Sequence, residues 1–589
     1  MPKRTMLALL GVGATLAAPV AVSAAPYQHK PNATAQGTGG AAATVDSVAT
    51  RAARGVLARG GNAVDAAVAA AAVLGVTEPY SAGIGGGGFM VIRRPNGKVV
   101  TIDSREKAPA AMRPDSFIEN GTPLPMSDAR YSGLSAGVPG TVAGWAKALN
   151  RYGTWRFKRV LAPAIDVARQ GFVVDDTFVS QTTPNIPYFD DIPATARIYL
   201  DPDGTAKDVG AVVRNPDLAR TMERIARHGK RGFYRGAIAA ALARAAQRPA
   251  TAPTADKTWR PGLITRQDVQ NYRAVIRKPT RVGYRGLDVY SMGPPSSGGT
   301  TVGEALNILE QIPGYPGLSE IDKLHYFLEA SRFAFADRNV FVADPAYFDV
   351  PLRGLLSDEF AKTRAALIGP TDPGAAVAAG DPNAFQGTTK TAASPSTPAQ
   401  STTHLTVADR RGSVVSYTFT IESTGGNGIV VPGWGFLLNN ELTDFNFDDT
   451  DHPNAPEGGK RPRSSISPTY VARNGRPFLA VGTPGGATII TTVLQILTER
   501  IDFGRTLPQA IADPRASQRN PTTAGSPTAP EQAFVDRYGA ALRAKGHQFS
   551  TAAEIGAATG IEFLPRGEML AAAEPVRRGG GSALVVRQR

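Results

Sequence analysis

Residues 400–426 read QSTTHLTVADRRGSVVSYTFTIESTGG, two runs of β-branched and aromatic residues on either side of Arg410-Arg411-Gly412. Runs of this kind, separated by three residues that end in glycine, predict a β-hairpin with Gly412 in the left-handed position. Pairing Asp409 with Ser413 sets Thr402 opposite Thr420, their Cβ atoms about 5 Å apart on one face of the sheet. His404 falls on the same face, two residues along. Ordinary sheet packing would account for such a threonine pair. A chemical reading stands beside it. A threonine hydroxyl becomes a nucleophile once a base takes its proton, and the α-amine of an N-terminal residue, with an ordinary pKa of about 7.7–8.0, is such a base. In this chain that amine is locked in the Ser401–Thr402 peptide bond, so cutting that bond would create the base.

The flanking sequence bears on both readings. Upstream, residues 369–401 (GPTDPGAAVAAGDPNAFQGTTKTAASPSTPAQS) hold one aromatic residue and few large aliphatics. The stretch is expected to be flexible, because so little burial does not offset the entropy of ordering it. Flexibility there would let a new chain end at Ser401 move away from Thr402. Downstream, TPGGATIITTVLQILTER (483–500) places Gly485 and Gly486 at the entry to an apolar helical run. Backbone N–H groups at such an entry suit an oxyanion hole, although a plain glycine turn into a helix has the same spelling.

Composition sets the outer bounds. The 589 residues are 42% hydrophobic, enough for a sizeable core, and include no cysteine, which removes disulfides, thiol catalysis and thiolate metal sites. The formal charge of +14 comes from scattered residues with no aromatic-interleaved basic stripe. A solvated basic surface fits this better than nucleic-acid binding, and the field favours small anionic substrates. Residues 1–25, MPKRTMLALLGVGATLAAPVAVSAA, have a basic start, an apolar run and small residues at the spacing of a signal-peptidase site. They are read as a signal peptide for export, to a periplasm or the medium, in preference to a retained anchor.

Helical spacing marks 45–60, 62–76, 141–151, 234–247 and 320–338, and strands are expected at 90–103, 281–291, 404–409 and 414–422. Helices and strands segregate more than they alternate, which favours α+β layers over a doubly wound sheet. Residues 26–44 are expected to form a flexible N-terminal segment. The six histidines show no metal-binding spacing, and neither metal nor cofactor is expected. GLSAG (133–137) fits the spelling of a nucleophile elbow, but Pro139-Gly140 interrupts the helix that an elbow needs after Ser135. The glycines at 85–88 lack the lysine of a phosphate loop and suit a close backbone approach instead.

Several blocks in order resemble the γ-glutamyltransferase (glutathione hydrolase) family of N-terminal-nucleophile hydrolases: GGNAVDAAVAAAAVLGVTEPYSAGIGGGGFM (60–90), DSREKAP (103–109), GVPGTVAGW (137–145), MGPPSSGGTT (292–301), TTHLTVAD (402–409), GFLLNNELTDF (435–445), GKRPRSSISPT (459–469) and GTPGG (482–486). The resemblance implies an α+β, four-layer αββα sandwich built from a large chain (45–401) and a small catalytic chain (402–589) after self-cleavage between Ser401 and Thr402. It implies that Thr402 is the nucleophile, that Thr420 orients its hydroxyl, and that Gly485 and Gly486 form the oxyanion pair. Arg105 resembles the residue that grips the glutamyl α-carboxylate, with Ser464 and Ser465 as hydroxyl partners, and Glu441 and Asp444 resemble the holders of the α-ammonium. Glutathione and other γ-glutamyl compounds would be donors, and water or an amino acid or peptide the acceptor.

Two departures stand out. Glu422 occupies a position where better-known members carry asparagine, which puts a third carboxylate near one ammonium. The segment 445–463, FNFDDTDHPNAPEGGKRPR, is short where other members carry a lid loop, so an open cleft with substantial hydrolysis is expected. A related acylase acting on glutaryl-type amides would use the same nucleophile, and a non-catalytic exported binder of γ-glutamyl compounds is a further alternative. Arg105 together with the acidic trio favours an amino-acid head group, since a glutaryl chain has no ammonium.

Overall fold

The computed structural model describes residues 25–386 and 401–587. The signal-peptide reading thus lies outside the described residues except for Ala25, as does the 387–400 part of the low-complexity stretch.

Two seven-stranded antiparallel sheets form the middle of the molecule. In chain order their strands are β1 (Thr34–Gly37), β2 (Gly40–Thr44), β3 (Gly87–Arg93), β4 (Val99–Asp103), β5 (Val275–Arg277), β6 (Thr280–Tyr284), β7 (Leu287–Ser291), β8 (Thr403–Asp409), β9 (Val414–Thr420), β10 (Thr469–Arg473), β11 (Arg476–Gly482), β12 (Thr559–Phe563), β13 (Met569–Ala573) and β14 (Ser582–Val585). The first sheet runs β14-β2-β8-β9-β3-β4-β5 and the second β1-β13-β12-β11-β10-β7-β6. The helices that cover them include α1 (Ser47–Ala58), α2 (Ala63–Thr77), α3 (Thr141–Tyr152), α4 (Gly298–Gln311), α5 (Glu320–Phe341) and α6 (Thr488–Ile501).

The alternation of side chains along each strand assigns the layers. Ala42, Leu405, Val407, Val415, Tyr417 and Phe419 join α1, α2 and α3 in one core. Their sequence neighbours Ala41, Ala43, Ala408 and Val414 turn the other way and meet Tyr470, Ala480, Ile561 and Ala571 of the second sheet. Beyond it, Val471, Leu479 and Val481 pack with α4, α5 and α6. The order is helices, sheet, sheet, helices: an α+β, four-layer αββα sandwich. Small side chains dominate the space between the sheets, so the β8–β9 hairpin meets the second sheet closely. Gly482 shows how closely, because a Cβ there would meet the His404 ring at 2.4–2.8 Å.

The hairpin has the register read from its turn. Thr403 pairs with Phe419, His404 with Thr418 and Ala408 with Val414, closed by Asp409 N–H to Ser413 O at 3.0 Å and by Gly412 at φ 82°.

Four expectations need correction. Residues 26–44 are not a free segment: they contain β1 and β2, and β2 sits between β14 and β8. Glycine and alanine gave no strand signal there, yet they are what fits between two close sheets. The stretches 90–103 and 281–291 are each a hairpin, turned at Asn96-Gly97 and at Arg285-Gly286, with both residues of the second turn at positive φ (49° and 72°). The helix expected at 234–247 breaks at Gly236 (φ 71°) into Lys230–Tyr234 and Ala237–Gln247. Finally, 369–386 is held in place: Arg332 bonds Asp372 and the Ala375 carbonyl, Asn520 bonds both main-chain groups of Val377, and Asp337 accepts from Gly380 N–H. Backbone groups, which composition does not reveal, join Asp372 in the anchoring.

Candidate active site

Thr402 stands immediately before β8, and β9 ends at Thr420, so the hairpin delivers both hydroxyls to one edge of the sandwich. They lie 3.4 Å apart, and both residues are almost fully buried. Within the continuous chain both hydroxyls donate to the Ser401 carbonyl oxygen, that of Thr420 at 2.9 Å. Glu422 N–H in turn donates to Thr420 Oγ1 at 2.8 Å, which fixes the direction of that hydroxyl. Two donors on one carbonyl polarise it. Ser401 is steadied by its own hydroxyl, 3.0 Å from Ser81 Oγ.

His404 bonds Thr418 and Thr406 across and along the hairpin, at 2.7 and 3.0 Å. Burial pushes its pKa down to about 3, so the ring is neutral and structural.

A small cleft opens at the threonine pair. It is lined by Arg105, Ser401, Thr402, Thr420, Glu422, Glu441, Asp444, Ser464, Ser465 and Gly486, with Ile466 and Ile489 as apolar walls. The structure therefore gathers every residue singled out from sequence except Gly485, which lies one position outside the lining. Gly485 and Gly486 have φ of 135° and 58° and precede the first turn of α6. At Gly485 a Cβ would meet Thr488 Oγ1 at 2.6 Å, so glycine there keeps the approach to the helix narrow.

The charged wall differs in one respect from the sequence reading, which kept the arginine and the acids as separate holds. Arg105 is paired with both Glu441 and Asp444, and it also donates to the Pro462 and Arg463 carbonyls at 3.2 and 3.0 Å. Its guanidinium fork is thus anchored along the cleft floor with the acids beside it.

Glu422, at φ 77°, accepts from Ser423 Oγ and Asn440 Nδ2 on the same oxygen. Burial, reinforced by the Asp444 charge, pushes its pKa up to about 7 against those hydrogen bonds and the Arg130 charge. Ser465 Oγ accepts from Arg338 at 2.8 Å, and Arg338 also reaches Ser297 Oγ at 2.9 Å. Asn440, Ser423, Arg338 and Ser297 escaped sequence reasoning, which assigned roles by charge and known motif. Asn440 and Ser297 do sit inside the family-like blocks at 435–445 and 292–301, which was the available signal. Segment 445–463 packs into the body: His452 Nε2 lies 3.1 Å from the Asn339 carbonyl oxygen, and Arg461 N–H donates to Asp344 at 2.9 Å.

One cluster elsewhere resembles a metal site. Glu329, Asp372 and His547 bring donor atoms within 4.8 Å of one another. The Arg332 guanidinium already bonds both carboxylates there, so the positive charge is supplied by the protein itself.

A four-layer αββα sandwich with a threonine at the mouth of its central hairpin, its hydroxyl against the preceding carbonyl, defines the class of N-terminal-nucleophile hydrolases. A family model described as Gamma-glutamyltranspeptidase matches residues 49–584. The chain is 35% identical to the glutathione hydrolase proenzyme of Escherichia coli (strain K12), with 91% of this chain and 90% of the relative covered. It is 34% identical to the acylase ACY 1 proenzyme of Pseudomonas sp. (strain V22), covering 93% and 95%. Among solved structures it is similar to the cephalosporin acylase of Bacillus halodurans, with a TM-score of 0.81 and 28% identity over 97% of this chain and 100% of that one. The chain belongs to the gamma-glutamyltranspeptidase family.

Proposed function

We propose that this protein is a self-processing γ-glutamyltransferase and glutathione hydrolase, working through an ester on Thr402. The observation that carries the assignment of Thr402 is the convergence of the Thr402 and Thr420 hydroxyls on the Ser401 carbonyl, at the mouth of the cleft that holds Arg105, Glu441 and Asp444.

Processing starts when Thr402 Oγ1 adds to the Ser401 carbonyl carbon while Thr420 donates to the oxygen that gains charge. The C–N bond breaks, the amine takes the proton, and the acyl group rests on Oγ1 as an ester. Water hydrolyses that ester, leaving a carboxylate on Ser401 and a free amine on Thr402. In turnover the amine accepts the proton of its own hydroxyl as Oγ1 attacks the donor γ-carbonyl. Backbone N–H groups of Gly485 and Gly486 meet the oxyanion, the leaving amine takes the proton, and water or an amino acid or peptide amine then takes the acyl group. Arg105, with Ser464 and Ser465, receives the α-carboxylate, and Glu441, Asp444 and Glu422 receive the ammonium. The short, packed 445–463 segment leaves the cleft without a lid, which favours water as acceptor. Residues 1–25 are read as directing export, and 402–589 as the small chain.

The similarity to acylases gives a second reading, in which the donor is a glutaryl-type amide. Denaturing electrophoresis with N-terminal sequencing tests the mechanism: a small chain beginning Thr-Thr-His-Leu is expected, and an intact chain that still turns over donor would refute it. Rates with glutathione against a glutaryl amide then decide the donor, glutathione being the faster on this reading.

A further inference from the structure

Arg578 lies outside the cleft lining yet touches the proposed nucleophile from behind. Its Nη1 donates to the main-chain carbonyl of Thr402 at 2.8 Å. Arg578 has a left-handed backbone, φ 54° and ψ 40°, which residues with a Cβ adopt only when their surroundings impose it. The surroundings do so: Arg577 pairs with Glu531 and Glu574, Arg515 pairs with Glu574 at 2.8 Å, and Arg578 N–H donates to Glu554 Oε1 at 3.2 Å. A buried ionic scaffold thus aims one guanidinium at one carbonyl.

Cleavage before Thr402 removes the chain on one side of it. The residue then depends on its hydroxyl contact with Thr420, on the strand that begins at Thr403, and on the bond from Arg578 to its carbonyl. A strand terminus with nothing before it frays unless it is tied down. The same guanidinium acts on the amine as a charge. Within one residue, N and O are at most about 3.6 Å apart, so with the 2.8 Å bond Nη1 lies within about 6.5 Å of the amine nitrogen. At that range a positive charge disfavours a second one.

We propose that Arg578 is a positioning residue for Thr402, pinning the carbonyl of the new N-terminal residue and holding its α-amine in the neutral, proton-accepting form. The proposal rests on the reading of Thr402 as the nucleophile. Other charges lie near: Glu422 after β9 and the Arg105 wall with Glu441 and Asp444 line the cleft beside Thr402, while Glu78 at the end of α2 and Glu554 act on the Arg578 guanidinium itself. Burial pushes the Glu78 carboxyl up to about 8, so near neutrality it is mostly protonated and offsets little of the guanidinium charge. His404, neutral, adds none.

The test compares Arg578→Gln and Arg578→Lys with wild type, using glutathione as donor, and follows small-chain formation, melting temperature and the pH dependence of kcat. In Arg578→Gln the acid limb of kcat is expected to move up by about half a pH unit or more, with kcat at neutral pH down several-fold and KM within about twofold. Arg578→Lys keeps the charge and is expected to keep the acid limb near that of wild type. A processed Gln variant with the wild-type acid limb overturns the proposal, as do Lys and Gln variants shifted alike. A folded Gln variant that stays uncut while Lys is cut supports the positioning role. Failure of both folded variants to cleave overturns the claim about the amine, because the arginine then acts before an amine exists. Loss of the melting transition in both assigns Arg578 to the fold and also overturns it. The underlying reading is tested separately in wild type: if the small chain does not start at Thr402, or Thr402→Ala stays active, the nucleophile is misplaced whatever Arg578 does.

Discussion

On the proposed mechanism the hydroxyl of Thr420 serves the uncut chain as well as the finished enzyme, since it donates to the Ser401 carbonyl and lies beside Thr402 Oγ1. Thr420→Val, which keeps shape and loses the donor, is expected to slow small-chain formation by roughly 10-fold to 100-fold, the scale of one lost oxyanion donor or somewhat less. A time course on denaturing gels measures this, and Thr420→Ser should restore most of the rate. Glu422 has a pH signature. Its carboxyl is raised to about 7 by burial, so its charge develops as pH climbs through neutrality. Donor KM is expected to fall between about pH 6 and 8 as the ammonium gains a partner, and to lose that dependence in Glu422→Gln. Stability runs the other way: the contribution of a raised carboxyl is full below its unfolded pKa and is lost as pH rises through the folded one. A melting series against pH checks this, with the Gln variant flatter. At this scale the sequence was most informative where geometry repeats, as in the hairpin register that paired Thr402 with Thr420. It was silent on Asn440 and Ser423, whose bonds to Glu422 depend on a turn that no spacing rule encodes.

Among the elements, the strap at 369–386 is the least expected. Its anchor is Asp372, bonded by Arg332 and 3.0 Å from His547 Nδ1, while His547 meets His325 at 2.9 Å and His325 meets the Gly369 carbonyl at 2.9 Å. Arg332→Ala leaves Glu329 and Asp372 buried without their cation and is expected to cost about 3–5 kcal/mol, read from denaturant unfolding. Burial pushes His325 down to about 4. A histidine lowered in the fold stabilises above its unfolded pKa and loses that contribution as pH falls toward the folded one, so the strap is expected to loosen between about pH 6.5 and 4. Proteolysis within 369–386 at pH 7 and pH 4.5 would register it, and equal protection at both values would contradict it. Gly482→Ala, forced against His404, is expected to destabilise by about 1–3 kcal/mol in the same unfolding assay. Turn chemistry explains the two hairpins read as single strands: Asn-Gly and Arg-Gly steps interrupt them, and the surrounding β-branched run masked the break. The strap went unread because it is held by side chains distant in sequence, among them Arg332, Asp337, Asn520 and His547, bonded to its backbone groups and to Asp372.

For the molecule as a whole, the four-layer arrangement came from family resemblance, while the pattern of elements alone reached only α+β. What no local pattern contains is the interleaving. In the first sheet, β8, β9 and β14 follow the cleavage site in sequence, yet β2 lies between β14 and β8, and β3 extends the sheet beyond β9. In the second, β1, β6 and β7 precede the site and flank strands that follow it. The processed chains therefore share both sheets. They are expected to unfold in one cooperative transition and to co-elute up to its midpoint, which gel filtration in rising urea measures. Interleaving also changes what kind of folding problem the protein poses. Before the cut, every strand finds its partner within one covalent chain, at the high effective concentration a tether supplies. After it, the same sheets form only when two chains meet, neither with a complete sheet of its own. On the proposed reading the bond broken in processing is thus the one that made folding unimolecular, and the mature protein is expected to persist by the height of its unfolding barrier more than by refolding.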